Sequence, residues 1–126
     1  MLRLFDIYAS LLKSWRVVCY EQEGDAYMLQ VSAVLIDDSR LQLRDYLFAD
    51  GSRKYAYQWM EEDGTLRRRW DNAPHWPSVA TAPNHVYLPG QEMLPAASTV
   101  TNLEDLLQFV QSWLDERSGL EVLEAP

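Results

Sequence analysis

The chain of 126 residues holds a single cysteine, Cys19, and so cannot close a disulfide on itself. Cys19 stands in the apolar run Val17-Val18-Cys19-Tyr20, which suits a buried thiol in a reducing, cytoplasmic setting. Long apolar runs are missing. None approaches the roughly 18 to 20 residues that a helix needs to cross a bilayer. The opening Met1-Leu2-Arg3-Leu4-Phe5-Asp6 has neither the apolar core nor the small-residue cleavage site of a signal peptide. Histidine is scarce, His75 and His85 only, and without a cysteine pair or clustered carboxylates at ligand spacing they predict no metal site. The glycine-rich phosphate loops, the G-x-S-x-G elbow and the H-E-x-x-H motif are absent as well, so no cofactor is expected.

What is present is charge, unevenly spread. The net charge of −8 argues against nonspecific nucleic-acid binding by the chain as a whole. Yet seven of the eleven basic residues lie between Arg40 and Arg69, while Glu104, Asp105, Asp115, Glu116, Glu121 and Glu124 face only Arg117 beyond Asn102. An apolar fraction of 48% is enough for a globular core in a chain of this length.

Leu4, Ile7, Tyr8, Leu11, Leu12 and Trp15 recur at helical spacing and predict a helix over residues 2–15. Strands are expected at 16–22, 26–36, 40–49, 53–61 and 65–71. Between them stand Asp37-Asp38-Ser39 and two Asp-Gly pairs, at 50–51 and 63–64, of the kind that accepts positive φ in a tight hairpin. Pro74, Pro77, Pro83, Pro89 and Pro95 interrupt residues 72–98, predicting a long loop without regular elements. Thr101-Asn102-Leu103-Glu104 reads as a capping box with Thr101 as N-cap. Leu103, Leu106, Leu107, Val110, Trp113 and Leu114 then form the stripe of a C-terminal helix that ends near Arg117 and Gly119, with 120–126 as a frayed tail. Neither an internal repeat nor a domain linker is visible. The expectation is a single α+β domain over 1–126: an antiparallel β-meander of about five strands with the N-terminal and C-terminal helices packed on one face.

Treating the Asp-Gly pairs as two-residue loops sets the register. Paired positions then sum to 101 in the first hairpin and 127 in the second. One face would carry Arg44, Tyr46, Phe48, Tyr55, Tyr57, Trp59, Leu66, Arg68 and Trp70. The other would carry Leu41, Leu43, Asp45, Leu47, Lys54, Ala56, Gln58, Arg67, Arg69 and Asp71. Either the aromatics pack under the helices and the arginines are solvated surface paired with Asp45 and Asp71, or the cationic face and the proline-rich loop form a shallow groove for a phosphate-bearing ligand. The forked guanidinium suits phosphate. Which face the helices cover is left open.

The run Arg53-Lys54-Tyr55-Ala56-Tyr57-Gln58-Trp59, the turn Asp63-Gly64, and the run Arg69-Trp70-Asp71-Asn72-Ala73-Pro74-His75 are followed by Pro83-Asn84-His85 and Leu103-Glu104-Asp105-Leu106-Leu107. Together, over roughly residues 16–115, they resemble the TumE family of toxins from toxin–antitoxin systems. The resemblance implies a small cytoplasmic prokaryotic toxin, encoded beside a helix-turn-helix antitoxin that holds it inactive. Matching positions are Lys54, Tyr55, Tyr57, Trp59, Arg69, Trp70, Asp71, Asn72, His75 and His85. Where many relatives carry further histidines, this chain has Trp76 after His75 and Val86-Tyr87 after His85.

These readings converge on one expected site. His75 and His85 would transfer protons, with Arg69 and Asp71 beside them. Lys54, Tyr57, Trp59, Trp70 and Asn72 would contact the ligand. A histidine titrating near neutrality, with cations to stabilise developing charge, suits metal-independent, ribonuclease-like attack on RNA or another phosphate-bearing target. The alternative is a non-catalytic protein-interaction module using exposed aromatics and the proline-rich loop. Exposed aromatic surface would also suit a homodimer.

Overall fold

The computed structural model describes residues 2–91 and 93–124, with side chains as far as residue 117. Among these residues α1 (Arg3–Ile7) and a 3-10 turn (Ala9–Leu11) lead into seven strands: β1 (Leu12–Glu23), β2 (Ala26–Leu35), β3 (Arg40–Leu47), β4 (Arg53–Met60), β5 (Leu66–Asp71), β6 (His85–Tyr87) and β7 (Ala96–Ala97). The long helix α2 (Leu103–Glu124) follows. The sheet is antiparallel throughout, and its strand order is the chain order.

Two expectations are corrected here. The N-terminal helix ends at Ile7, because residues from Leu12 onward, rich in Val, Tyr and Trp, pair along the whole of β2 from Leu12↔Leu35 to Glu23↔Ala26. Trp15, assigned to the helical stripe, is a strand residue that stacks on Phe5 at 4.8 Å. The strand count is seven rather than five, because β6 and β7 lie inside the proline-rich segment. Its prolines flank these short strands and leave their N–H groups free to pair.

The hairpin loops decide the register. Leu35 N–H donates to Ser39 C=O (2.8 Å), Phe48 N–H to Ser52 C=O (2.9 Å) and Glu61 N–H to Thr65 C=O (2.7 Å). Each loop therefore has three residues, and the third is left-handed: Asp38 at φ 71°, Gly51 at 85° and Gly64 at 91°. The middle residue, Asp37, Asp50 or Asp63, accepts the N–H of Ser39, Ser52 or Thr65 on its side chain. These hydrogen bonds hold the carboxyls of Asp50 and Asp63 below the usual range. The triplet Asp-[Asp/Gly]-[Ser/Thr] starts at 37, 50 and 63, one turn motif used three times.

Three-residue loops change the faces. In β3–β4 paired positions sum to 100, as in Asp45↔Tyr55 and Leu43↔Tyr57. Leu41, Leu43 and Asp45 thus join Tyr55, Tyr57 and Trp59, not Lys54 and Gln58. The β4–β5 hairpin starts at Met60↔Leu66, but a bulge shifts it to Trp59↔Arg68 and restores the expected pairs Gln58↔Arg69 and Ala56↔Asp71. The extra residue is Arg67. Instead of sharing the open face with Arg69, it lies over the rings of Trp59 and Trp113 and pairs with Asp37 and Glu61.

α2 covers the aromatic face. Leu103, Leu106, Leu107, Val110 and Leu114 are buried in one cluster with Leu29, Val31, Leu41, Leu43, Tyr57 and Trp59, to which α1 adds Phe5. Phe109 and Trp113 meet Trp70 and Trp59 edge-on at 5.4 and 5.0 Å. The cap sits one residue later than expected: Asn102 Oδ1 accepts the Asp105 N–H, and Asp105 Oδ2 accepts the N–H and hydroxyl of Thr101. The helix passes Gly119 and takes in 120–124 of the expected tail, while 125–126 lie outside the described residues. Among the described residues no helix is long and apolar enough to cross a membrane.

The register buries a charge. Asp45 is 2% exposed and accepts hydrogen bonds from Tyr57 Oη, from Tyr27 Oη (2.9 Å) and from Arg53 Nη2 (3.1 Å). Arg53 also donates to the Thr101 carbonyl (2.9 Å), joining this cluster to the entry of α2. Burial, then the adjacent carboxylate, pushes the Tyr27 phenol up to about 12 and the Tyr57 phenol further. Because these folded values exceed the unfolded phenol's, the stability they contribute is complete below about pH 10 and is lost as pH rises through 12. Thermal midpoints should therefore fall steadily over that window. At neutral pH, Tyr57→Phe leaves Asp45 short of a donor and should lower urea stability by about 1–3 kcal/mol.

Candidate functional site

The end of β5 alternates its side chains. Trp70 enters the core, while Arg69 and Asp71 fall on the face that α2 leaves open. The next residue leaves the ladder yet keeps its bonds. Asn72 Oδ1 accepts the Tyr55 N–H (3.0 Å), and its Nδ2 donates to the Arg53 carbonyl (2.8 Å). The side-chain amide thus stands in for a strand residue beside β4, so the backbone can turn into the loop that carries His75.

Asp71 is the hub. It is 7% exposed; Oδ1 accepts the Ala73 N–H (3.0 Å) and Oδ2 accepts Arg69 Nε–H (3.3 Å). His85, brought alongside by the pairing Asp71↔His85, places Nε2 2.7 Å from Oδ1. That approach lies off the line of a ring N–H bond, so no aligned hydrogen bond joins the two groups. The other ring nitrogen, Nδ1, is 2.8 Å from the Pro83 carbonyl and must carry a proton there. Arg69 is held from below by Asp71 and by Gln58 Oε1 (3.3 Å), while its side chain stays 44% exposed.

Lys54, Arg69, Asp71, Asn72 and His75 line one cleft of about 340 Å³. The expected residues that meet there are these five. The other four do not. Tyr57, Trp59 and Trp70 are core side chains, each 2% exposed or less, with no surface for a ligand. His85 is 1% exposed and lies behind Asp71, so it reaches the cleft only through that carboxylate. Asp71 and His85 are joined by no third ligand-type side chain among the described residues.

A second hollow of about 350 Å³ opens beside the cleft, shares Arg69 with it, and includes Arg16, Gln30, Gln42 and Arg44. Sequence reasoning missed it, because the two-residue loop put Arg44 among the aromatics. The polar alternation of Gln30 and Ser32 within an apolar strand was the available signal.

The sequence model of a family described as toxin TumE matches residues 1–118. Neither a curated protein nor a solved structure matches the chain.

The Asn72 amide makes a local prediction. Asn72→Ala removes both bonds to β4, so the Tyr55 amide should exchange with solvent at least about tenfold faster while the amides of β2 keep their protection. Native-state hydrogen exchange reads this directly.

Proposed function

This chain belongs to the TumE toxin family, and from that membership we propose that it arrests growth by acting, in the cytoplasm, on RNA at the cleft of Lys54, Arg69 and His75. Membership in a toxin family implies an antitoxin partner; the partner proposed is a helix-turn-helix protein encoded nearby.

The observation that carries this reading is the composition of the cleft. Three cations and an exposed imidazole line it; Arg53 is committed to Asp45, which leaves Lys54 and Arg69, and the cleft's buried carboxylate, Asp71, is already engaged by Arg69 and the Ala73 N–H, with His85 behind it. Arg69 is therefore presented as a fixed fork, suited to two oxygens of one phosphate, with Lys54 as a mobile second charge. In the step proposed, His75 takes the 2′-hydroxyl proton as O2′ attacks the adjacent phosphorus. The P–O5′ bond breaks, and the imidazolium returns the proton to O5′. The products are a 2′,3′-cyclic phosphate and a 5′-hydroxyl end. Arg69 and Lys54 stabilise charge on the pentacoordinate phosphorus. Asp71 acts as a positioning residue for Arg69, and His85 for Asp71.

Inducible expression tests the reading. The wild-type chain should stop growth, co-expression of the neighbouring antitoxin should restore it, and Arg69→Gln or His75→Gln should remove the arrest, with cleavage slowed about 10²- to 10⁴-fold. Arrest undiminished in both variants, or RNA ends lacking the cyclic phosphate, would discard it.

A further inference from the structure

Strand register lays one continuous polar row across the open face: Arg16, Ser32, Gln42, Gln58, Arg69 and Tyr87, each paired with the next from β1 to β6. The adjoining pair Gln30↔Arg44 lies one row over. Among the described residues the lining of the hollow has three arginines and no carboxylate; the second row continues through Ala56 to Asp71, which is 7% exposed and already bonded to Arg69. Arg16 and Arg44 make no ion pair among the described residues, whereas Arg40, Arg53 and Arg69 each have one and Arg67 has two. In a chain with nineteen acidic residues to eleven basic ones, a hollow lined by arginines and by no carboxylate selects for anions brought from outside.

The spacing says what kind. At about 4.8 Å per strand, Arg16 and Arg69 stand roughly 19 Å apart across four steps. A single phosphate would occupy one of them; a chain of phosphates can occupy both, with Arg44 between. The groups that intervene are Ser32 and glutamine amides; Gln30 donates to Tyr46 Oη, and Gln58 accepts from Arg69 and donates to Met60 Sδ, but each amide keeps a second N–H and a second lone pair for a ligand. Such groups match base edges; an unpaired strand turns its Watson–Crick edges outward, whereas an A-form duplex hides its major-groove edges from side chains and shows only those of its shallow minor groove. Arg69 belongs to this hollow and to the cleft alike, so a strand lying here runs on toward His75.

Resting on the function proposed above, we infer that the open sheet face binds single-stranded RNA. Its phosphates lie on Arg16, Arg44 and Arg69, its base edges face Gln30, Gln42 and Gln58, and the adjoining phosphodiester is delivered to the cleft.

Fluorescence anisotropy of the full chain with a labelled 12-nucleotide RNA, 2′-O-methylated so that it cannot be cut, tests this. Arg16→Gln and Arg44→Gln should each weaken binding about tenfold and flatten the salt dependence by about 0.7 of a log–log unit. Arg3→Gln, the same charge change in α1, should stay within about twofold. Circular dichroism would verify that each variant is folded. The inference falls if the wild-type chain does not bind, if the double variant binds as the wild type does, or if a duplex of the same sequence binds equally well. It falls too if a poly-glutamate peptide displaces the RNA at comparable concentration, which would make the face a dock for an acidic protein segment. The two readings separate cleanly. Binding that depends on Arg16 and Arg44, beside undiminished arrest by the Arg69→Gln and His75→Gln chains, upholds this face and removes only the cleavage step.

Discussion

Three hairpin loops of one kind govern this molecule. Each closes in three residues, ends on a left-handed residue and is locked by an aspartate that caps the amide two positions on. Such a loop admits one register, and in a sheet one register means one face. The loop at 49–51 sends Asp45 and its apolar neighbours Leu41 and Leu43 under α2. The bulge after the loop at 62–64 then turns Arg69 and Asp71 the opposite way. Core and candidate site are two consequences of the same geometry.

Sending Asp45 inward imposes a requirement. A lone carboxyl group there would be costly, and hydrogen bonds from Tyr27, Tyr57 and Arg53 offset its burial. A second polar chain closes the other end of the sheet. Trp59 Nε1 donates to Ser39 Oγ (2.9 Å), and Ser39 bonds Asp37, which with Glu61 receives Arg67. Burial pushes the Asp37 carboxyl up, but hydrogen bonds from Ser39 and Arg67 outweigh it and hold the group low. The two clusters flank the apolar centre and tie the loops to it, so loop chemistry and helix packing support each other.

The candidate site inherits its rigidity from this arrangement. Asn72 keeps the emerging loop on β4, Asp71 fixes Arg69, and β6 backs Asp71 with His85. Only Lys54 and His75 stand exposed without such support. A guanidinium held in place beside exposed side chains is the arrangement on which the proposed phosphate grip rests.

Much of this was legible in the chain itself. Alternation located the first five strands, the Asp-Gly pairs located two of the turns, and the segment from Arg69 to His75 pointed to the residues that share the cleft with Lys54. Local pattern suffices there because each signal lies within one element or one turn. Loop length was not legible, since Asp-Gly serves two-residue and three-residue hairpins alike; one residue of difference moved Asp45 inward and Arg44 outward. The end of α1 at Ile7, the bulge at Arg67, and the short strands among the prolines were also beyond it. Each depends on hydrogen bonds to a segment far along the chain. The sequence by itself determined which stretches are strands and which side chains could do chemistry; only the tertiary structure decided which face they share, because register is a property of paired strands and not of either one alone.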